Sequence, residues 1–152
     1  MNKKGVTLLE LIIVMVIIAI GATLLVPGIG TWIPIYRLRG ATRDVVSTMR
    51  TAQIKAVSIN TDYGVRFPSA TTYILEYRTT GGWVSEGAQQ TLPTGIQFTA
   101  FPPLNGRPDP NFQFNPNSTA STGSLTLTNT KGSTRTISLT TSTGRIRVDP
   151  PL

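Results

Sequence analysis

Neither histidine nor cysteine occurs in this chain of 152 residues. Without histidine the usual serine and cysteine triads cannot form, and without either residue the common zinc ligand sets are missing. Thiol chemistry and disulfides are excluded with them. Acidic residues are scarce too: seven stand against fourteen lysines and arginines, for a formal net charge of +7. The seven are scattered, and none forms a close pair in sequence. Glu76 and Glu86 are expected to be separate surface residues. The one glycine cluster, TTGGW from Thr79 to Trp83, lacks the spacing of a phosphate loop and reads as a hairpin turn. Asn117 opens an N-S-T glycosylation sequon, a short pattern with little specificity. The expectation is a protein that is not an enzyme, with no cofactor and no metal. A basic chain of this kind favours anionic partners such as nucleic acid or phospholipid headgroups.

What the chain does have is one long apolar stretch near its start, Lys3 to Pro27. Lys3, Lys4 and Gly5 open it, and from Leu11 to Val26 no residue is charged. About 20 mostly apolar residues suffice to span a bilayer as a helix. The two lysines ahead of the run would hold the N-terminus in the cytoplasm and send the rest outward. Glu10 is the anomaly. A carboxylate near the bilayer centre costs roughly 2.5–3.5 kcal/mol on insertion scales, which a plain anchor has no reason to carry. Two readings stand: Glu10 lies at the interface and reaches the headgroups, or it awaits a positive partner. A cleaved signal peptide fits poorly, because the apolar run is long and VPGIGTWIP follows it instead of an A-x-A-like site.

The string KKG followed by VTLLELIIVMVIIAI resembles the class III leader of type IV pilins and type II secretion pseudopilins. The resemblance implies that a prepilin peptidase cuts after Gly5 and N-methylates the new terminal residue, Val6. Most of the family has phenylalanine where this chain has Val6. Glu10 falls on the family's glutamate. The implied mechanism is that the α-amine freed at Val6 neutralises Glu10 of a neighbouring subunit in a filament, since a buried charge is tolerable only when paired.

Gly21 and Pro27 are expected to break or kink the apolar helix, since proline removes a backbone donor and crowds the preceding turn. Pro34 is a second candidate break. Beyond it, Val45, Met49, Ala52, Ala56 and Ile59 recur at steps of four and three and draw one stripe on a helix. Arg43, Arg50 and Lys55 lie off that stripe. The helix as a whole would run from about Val6 to about Asn60, on the order of 80 Å.

From residue 61 the composition turns to Thr, Ser, Gly, Asn and Pro. Short alternating runs read as half-buried antiparallel strands. They are centred on Val65 and Phe67, on Tyr73 to Tyr77, on Ile96 and Phe98, on Leu125 and Leu127, on Ile137 and Leu139, and on Ile146 and Val148. The proline-rich stretch Ala100–Pro110 excludes a central strand. The fold expected is α+β: a long N-terminal helix, partly transmembrane, packed on a small antiparallel β-sheet or sandwich head. The divisions expected are a leader at 1–5, a transmembrane and assembly helix at 6–30, an amphipathic continuation at 31–60 and the β-rich head at 61–152.

FQFNPNSTASTGSLTLTN, TRTISLTTSTGRIRV and the helix end MRTAQIKAVSINTDYGVRF resemble the GspH/FimT group of minor pseudopilins and pilins. This implies a structural subunit of a type II secretion pseudopilus or a type IV pilus, joined with other pilin subunits in a helical filament. The head would lie outside the cytoplasm and the single-pass anchor in the inner membrane. In the FimT branch a Gly-Arg-x-Arg motif contributes to DNA binding during natural transformation, and Gly144, Arg145, Ile146 and Arg147 match it. On a strand Arg145 and Arg147 share a face about 7 Å apart, a spacing suited to two phosphates. Lys131 and Arg135 are further candidates. The alternative to DNA binding is a solvated edge strand whose charges discourage aggregation. A third reading is an anchored β-domain that never polymerises.

Overall fold

The computed structural model describes residues 5–101 and 111–151; inside its first helix, the side chains of 24–29 and 31 lie outside the described set. The described residues form one helix and eight strands: α1 (Leu8–Ile59), β1 (Tyr63–Ser69), β2 (Thr72–Thr79), β3 (Gly82–Thr91), β4 (Ile96–Ala100), β5 (Phe112–Phe114), β6 (Gly123–Asn129), β7 (Thr134–Leu139) and β8 (Ile146–Asp149). It divides into two compact units, Met1–Ile33 and Pro34–Leu152.

Both ends of α1 carry recognisable stop and start chemistry. Thr7 precedes the helix, and its Oγ1 accepts a hydrogen bond from the Glu10 backbone N–H at 3.2 Å. With Glu10 three residues on, this is the Thr-x-x-Glu pattern of a capping box. At the other end Asn60 takes a left-handed conformation, φ 57°. Thr61 N–H then reaches back to the Ala56 carbonyl at 3.2 Å, the six-to-one bond of a Schellman motif. Gly21, Pro27 and Pro34, expected to break or kink the helix, lie within the span of α1. A proline deletes one N–H from the ladder, and the bonds on either side keep a helix of this length in register.

In the first unit the described apolar side chains from Val6 to Ile20 are exposed around the whole helix. Among the described residues no helix is long and apolar enough to cross a membrane. The apolar run read from the sequence continues into residues 24–26, whose side chains are not described. Residues 1–4, expected as part of a leader at 1–5, and most of the proline-rich stretch, 102–110, also lie outside the described residues.

The second unit holds two four-stranded antiparallel sheets, ordered β3-β2-β1-β5 and β4-β6-β7-β8. The inward faces of both sheets and one stripe of α1 share a single core. Val45, Met49, Ala52 and Ala56 are fully buried, as their spacing requires, and the two alanines let the helix approach the sheets closely. Leu38, Ala41, Thr42 and Val46 extend the stripe. Ile59 does not belong to it: it is exposed, because the helix is ending there. Phe67 of β1 meets Phe98 of β4 edge-on at 4.9 Å between centroids, and Phe112 of β5 edge-on at 6.0 Å. The first contact joins the two sheets; the second lies within the sheet that holds both β1 and β5. Alternation holds in β6 and β7, with Leu125, Leu127, Ile137 and Leu139 inward.

One acid departs from expectation. Glu76 is not a surface residue but is 1% exposed. It lies opposite Gly64 of β1 and Ser85 of β3. Arg66 covers it, with Nη2 2.6 Å from Oε1. Glycine opposite leaves room for the carboxylate, and the arginine stem shields it from water. Glu86 forms an ion pair with Lys55 of α1. The Lys55 bond holds the Glu86 carboxyl below the usual carboxylate range, against an opposing push from burial. The pair ties the helix to β3.

Candidate functional site

Two regions were singled out by sequence, one at each end of the chain. At the N-terminal end, Gly5 and Val6 are exposed in front of the helix, with Val6 at 72% exposure. Glu10 is exposed in the first helical turn. A helix N-terminus carries a partial positive charge, so a carboxylate in its first turn is stabilising by about 0.3–1 kcal/mol. Glu10 is thus placed at the positive end of its own helix. An apolar surface exposed on every side, with one acid at its start, is what a helix shows when its burial comes from lipid or from other subunits.

At the C-terminal end the candidate basic residues do not gather into one patch. Arg145 and Arg147 are both exposed. Ile137 pairs with Val148 and Leu139 with Ile146, so those residues face the core. Arg147, opposite Ser138, takes the outer face. Arg135 must be corrected. It is 7% exposed, on the inward face of β7 with Ile137 and Leu139. Its Nη1 donates to the carbonyls of Pro150 and Pro151 at 2.6 and 2.9 Å. Residue alternation puts it inward, and the returning C-terminal segment supplies its acceptors, so it is not free for a phosphate. Burial lowers its pKa first, and the charges of Arg39 and Arg43 on α1 lower it further. Lys131 sits in the β6–β7 turn, beyond Thr134, whereas Arg145 adjoins the opposite end of β7. The length of β7 separates them, on the order of 20 Å at strand rise.

Gly144 has a structural duty of its own. It is buried with φ +59°, and a methyl placed on it would lie 2.6 Å from Gln53 Nε2 and 3.1 Å from the Ser118 carbonyl oxygen. The glycine therefore lets the start of β8 press against α1 and the loop before β6. Sequence reading gave it a place in a binding motif; the packing gives it a reason independent of any ligand. Nothing in the sequence pattern alone signals this, because the contact is made 91 residues away, at Gln53.

A cleft of about 460 Å³ opens between α1 and the edge of the first sheet, lined by Asp44, Ser47, Thr48 and Thr51 from the helix and by Tyr73, Glu86 and Gln90 from the strands. Burial raises the Tyr73 phenol pKa and Asp44 raises it further, while a bond to Thr48 opposes them. Among the described residues no group of three potential ligands is placed to hold a metal ion.

Comparison with known families matches residues 1–26 to the prokaryotic N-terminal methylation motif. Residues 41–144 match the family described as type II transport protein GspH. Among solved structures, the minor pseudopilin EpsH from the type 2 secretion system of Vibrio cholerae is similar, with a TM-score of 0.62 at 16% identity, covering 74% of this chain and 95% of that one. E. coli GspH in solution is similar as well, with a TM-score of 0.60 at 14% identity, covering 76% of this chain and 93% of that one. At such identities these likenesses establish the fold. Curated protein sequences return no significant match.

Proposed function

The chain belongs to the family of the type II transport protein GspH, and from that premise we propose that its exposed N-terminal helix is the element through which it enters a filament. By family it is a minor pseudopilin, a structural and membrane-anchored subunit that assembles with other pilin-type subunits. The finer reading is ours. Prepilin peptidase cuts between Gly5 and Val6 and methylates the Val6 amine. The anchor then sits in the inner membrane with the head outside the cytoplasm, and Glu10 of one subunit meets the Val6 amine of the next. The observation that carries this reading is the helix from Leu8 to Ile20, apolar on every side with Glu10 as its one charge. Such a surface needs a lipid or protein environment throughout, and its single acid needs a cation. Intact-mass analysis of membrane-extracted protein tests it. The expected product lacks Met1 to Gly5 and gains one methyl. Recovery of Lys3 and Lys4 in cells with an active peptidase would refute the processing step.

A second reading has one observation in its favour: Arg145 and Arg147 are both exposed, and neither belongs to an ion pair among the described residues. On that reading the β8 edge holds nucleic acid phosphates. It rests on two arginines, since Arg135 is engaged and Lys131 is distant.

A further inference from the structure

Among the described residues, the ion pairs are Lys55–Glu86, Arg66–Glu76 and Arg78–Asp62. In all three the acid lies in β2, in β3 or just before β1. Arg39, Arg43 and Arg50 of α1 take part in none of them and are exposed. They fall on one flank of the helix, with Tyr36 and Arg39 three apart and Arg39 and Arg43 four apart, so these three side chains line up over two turns. Tyr36 is 60% exposed. The buried Arg135 guanidinium donates to the carbonyls of Pro150 and Pro151. Its pKa is lowered by burial first, and then by the charges of Arg39 and Arg43.

We propose that the Tyr36–Arg39–Arg43 flank of α1 is a binding site for the phosphate headgroup of an anionic phospholipid. The inference rests on the membrane-anchored reading above. Position along the chain selects lipid over other anions. No charged residue occurs between Glu10 and Arg37. Arg37 turns to the Thr94 carbonyl, 3.1 Å from its Nη1. Arg39 and Arg43 are therefore the first uncommitted cations after the apolar run, with a tyrosine ahead of them. Tyrosine followed by arginine is the chemistry of a membrane interface: the ring sits at headgroup level and the planar fork takes a phosphate. Arg39 and Arg43 donate to the phosphate, and Arg135 adds fixed positive field without direct contact. Arg50 lies two turns further along the helix than Arg43 and serves as the internal control.

The test uses the full chain in nanodiscs of phosphatidylcholine alone or with added phosphatidylglycerol bearing a photoreactive headgroup. Crosslinks mapped by mass spectrometry should fall between residues 36 and 43 and should weaken at high salt. Each arginine beside an anionic surface is worth roughly a fivefold change in occupancy. Arg39→Gln with Arg43→Gln should therefore cut the yield by more than tenfold, and Arg50→Gln should leave it unchanged. Thermal melts of each variant establish that the head stays folded. Equal labelling in the double variant, or loss of the same size in Arg50→Gln, overturns the assignment. So does preferential protection of the flank by duplex DNA in phosphatidylcholine discs, which would give the site to nucleic acid. Carbonate extraction of the same samples reports on anchorage separately: an extractable protein refutes the membrane reading, whereas an anchored protein without headgroup crosslinks refutes this site alone.

Discussion

Replacing Gly144 by alanine separates the two roles that a Gly-Arg-x-Arg strand can have. The residue holds φ +59°. A non-glycine residue in that region costs about 1–2 kcal/mol. The added methyl also meets Gln53 Nε2 at 2.6 Å and the Ser118 carbonyl oxygen at 3.1 Å. The glutamine amide is the far end of a flexible side chain and can swing away. The Ser118 oxygen is backbone and yields only by shifting its loop. Overpacking of this kind costs about 1–3 kcal/mol, so the total expected is about 2–5 kcal/mol. At roughly 4 °C for each kcal/mol in a domain of this size, the melting temperature should fall by roughly 8–20 °C. Gly132→Ala is the matched control. It has φ +79° and nothing within 4 Å, so it should show backbone strain alone. Gln53→Ala in the Gly144→Ala background should restore part of the loss, because it removes one of the two collisions. The assay is denaturation of the full chain in detergent, followed by circular dichroism. If Gly144→Ala is no worse than Gly132→Ala, the packing argument fails and the glycine must be explained by what it binds.

Three further outcomes are expected. Glu10→Ala should insert into membranes as well as wild type, because Glu10 stands at the end of the apolar run and not in its middle, yet should crosslink poorly to partner pseudopilins; undiminished crosslinking would make Glu10 an interfacial residue only. Glu86 has a lowered pKa in the fold, mainly through Lys55, so the pair's contribution is complete above the unfolded carboxylate value of about 4.3 and is lost as pH falls through the lower folded value. Lys55→Met should remove that acid-side dependence at a cost of up to about 1 kcal/mol, read from denaturant midpoints at neutral and acid pH. If the β8 edge binds duplex DNA, Arg145→Gln with Arg147→Gln should lower the slope of log affinity against log salt by about 2, whereas Arg135→Gln should leave that slope unchanged because its guanidinium is spent on Pro150 and Pro151.

The fold was legible where one face of an element is buried and the other is not. The steps from Val45 to Ala56 and the alternation from Leu125 to Leu139 are written in residue types, and the elements lie where those patterns put them. Strands β3 and β5 were not legible. Strand β3, GWVSEGAQQT, is an edge strand with nearly every residue open to solvent, so no alternation marks it. Strand β5 is three residues long, too short to show a period. Glu76 misled because alternation places it outward, as indeed it lies; its burial comes from Arg66 and the Gly64 gap across the strands. Arg135 misled for the converse reason. Its position in the alternation is an inward one, between Leu127 of the neighbouring strand and Ile137 of its own, and its charge alone suggested a solvent-facing place.

Glu10 also gains a meaning that charge counting did not supply. Its backbone N–H is held by Thr7 Oγ1, which fixes it at the third position of α1, at the end of the apolar run and not its middle. The full desolvation cost of a mid-bilayer acid therefore does not apply to it. What applies is the helix end. The N-terminus of α1 is already partly positive, and cleavage after Gly5 would add an α-amine one residue before the Thr7 cap. Two like charges would then crowd the same end of the helix. A carboxylate in the first turn offsets both, and a neighbouring subunit's carboxylate could do so as well. On the assembly reading proposed above, the same carboxylate serves its own helix start and the amine of the next subunit, which is a reason for an otherwise apolar helix to carry an acid at this position.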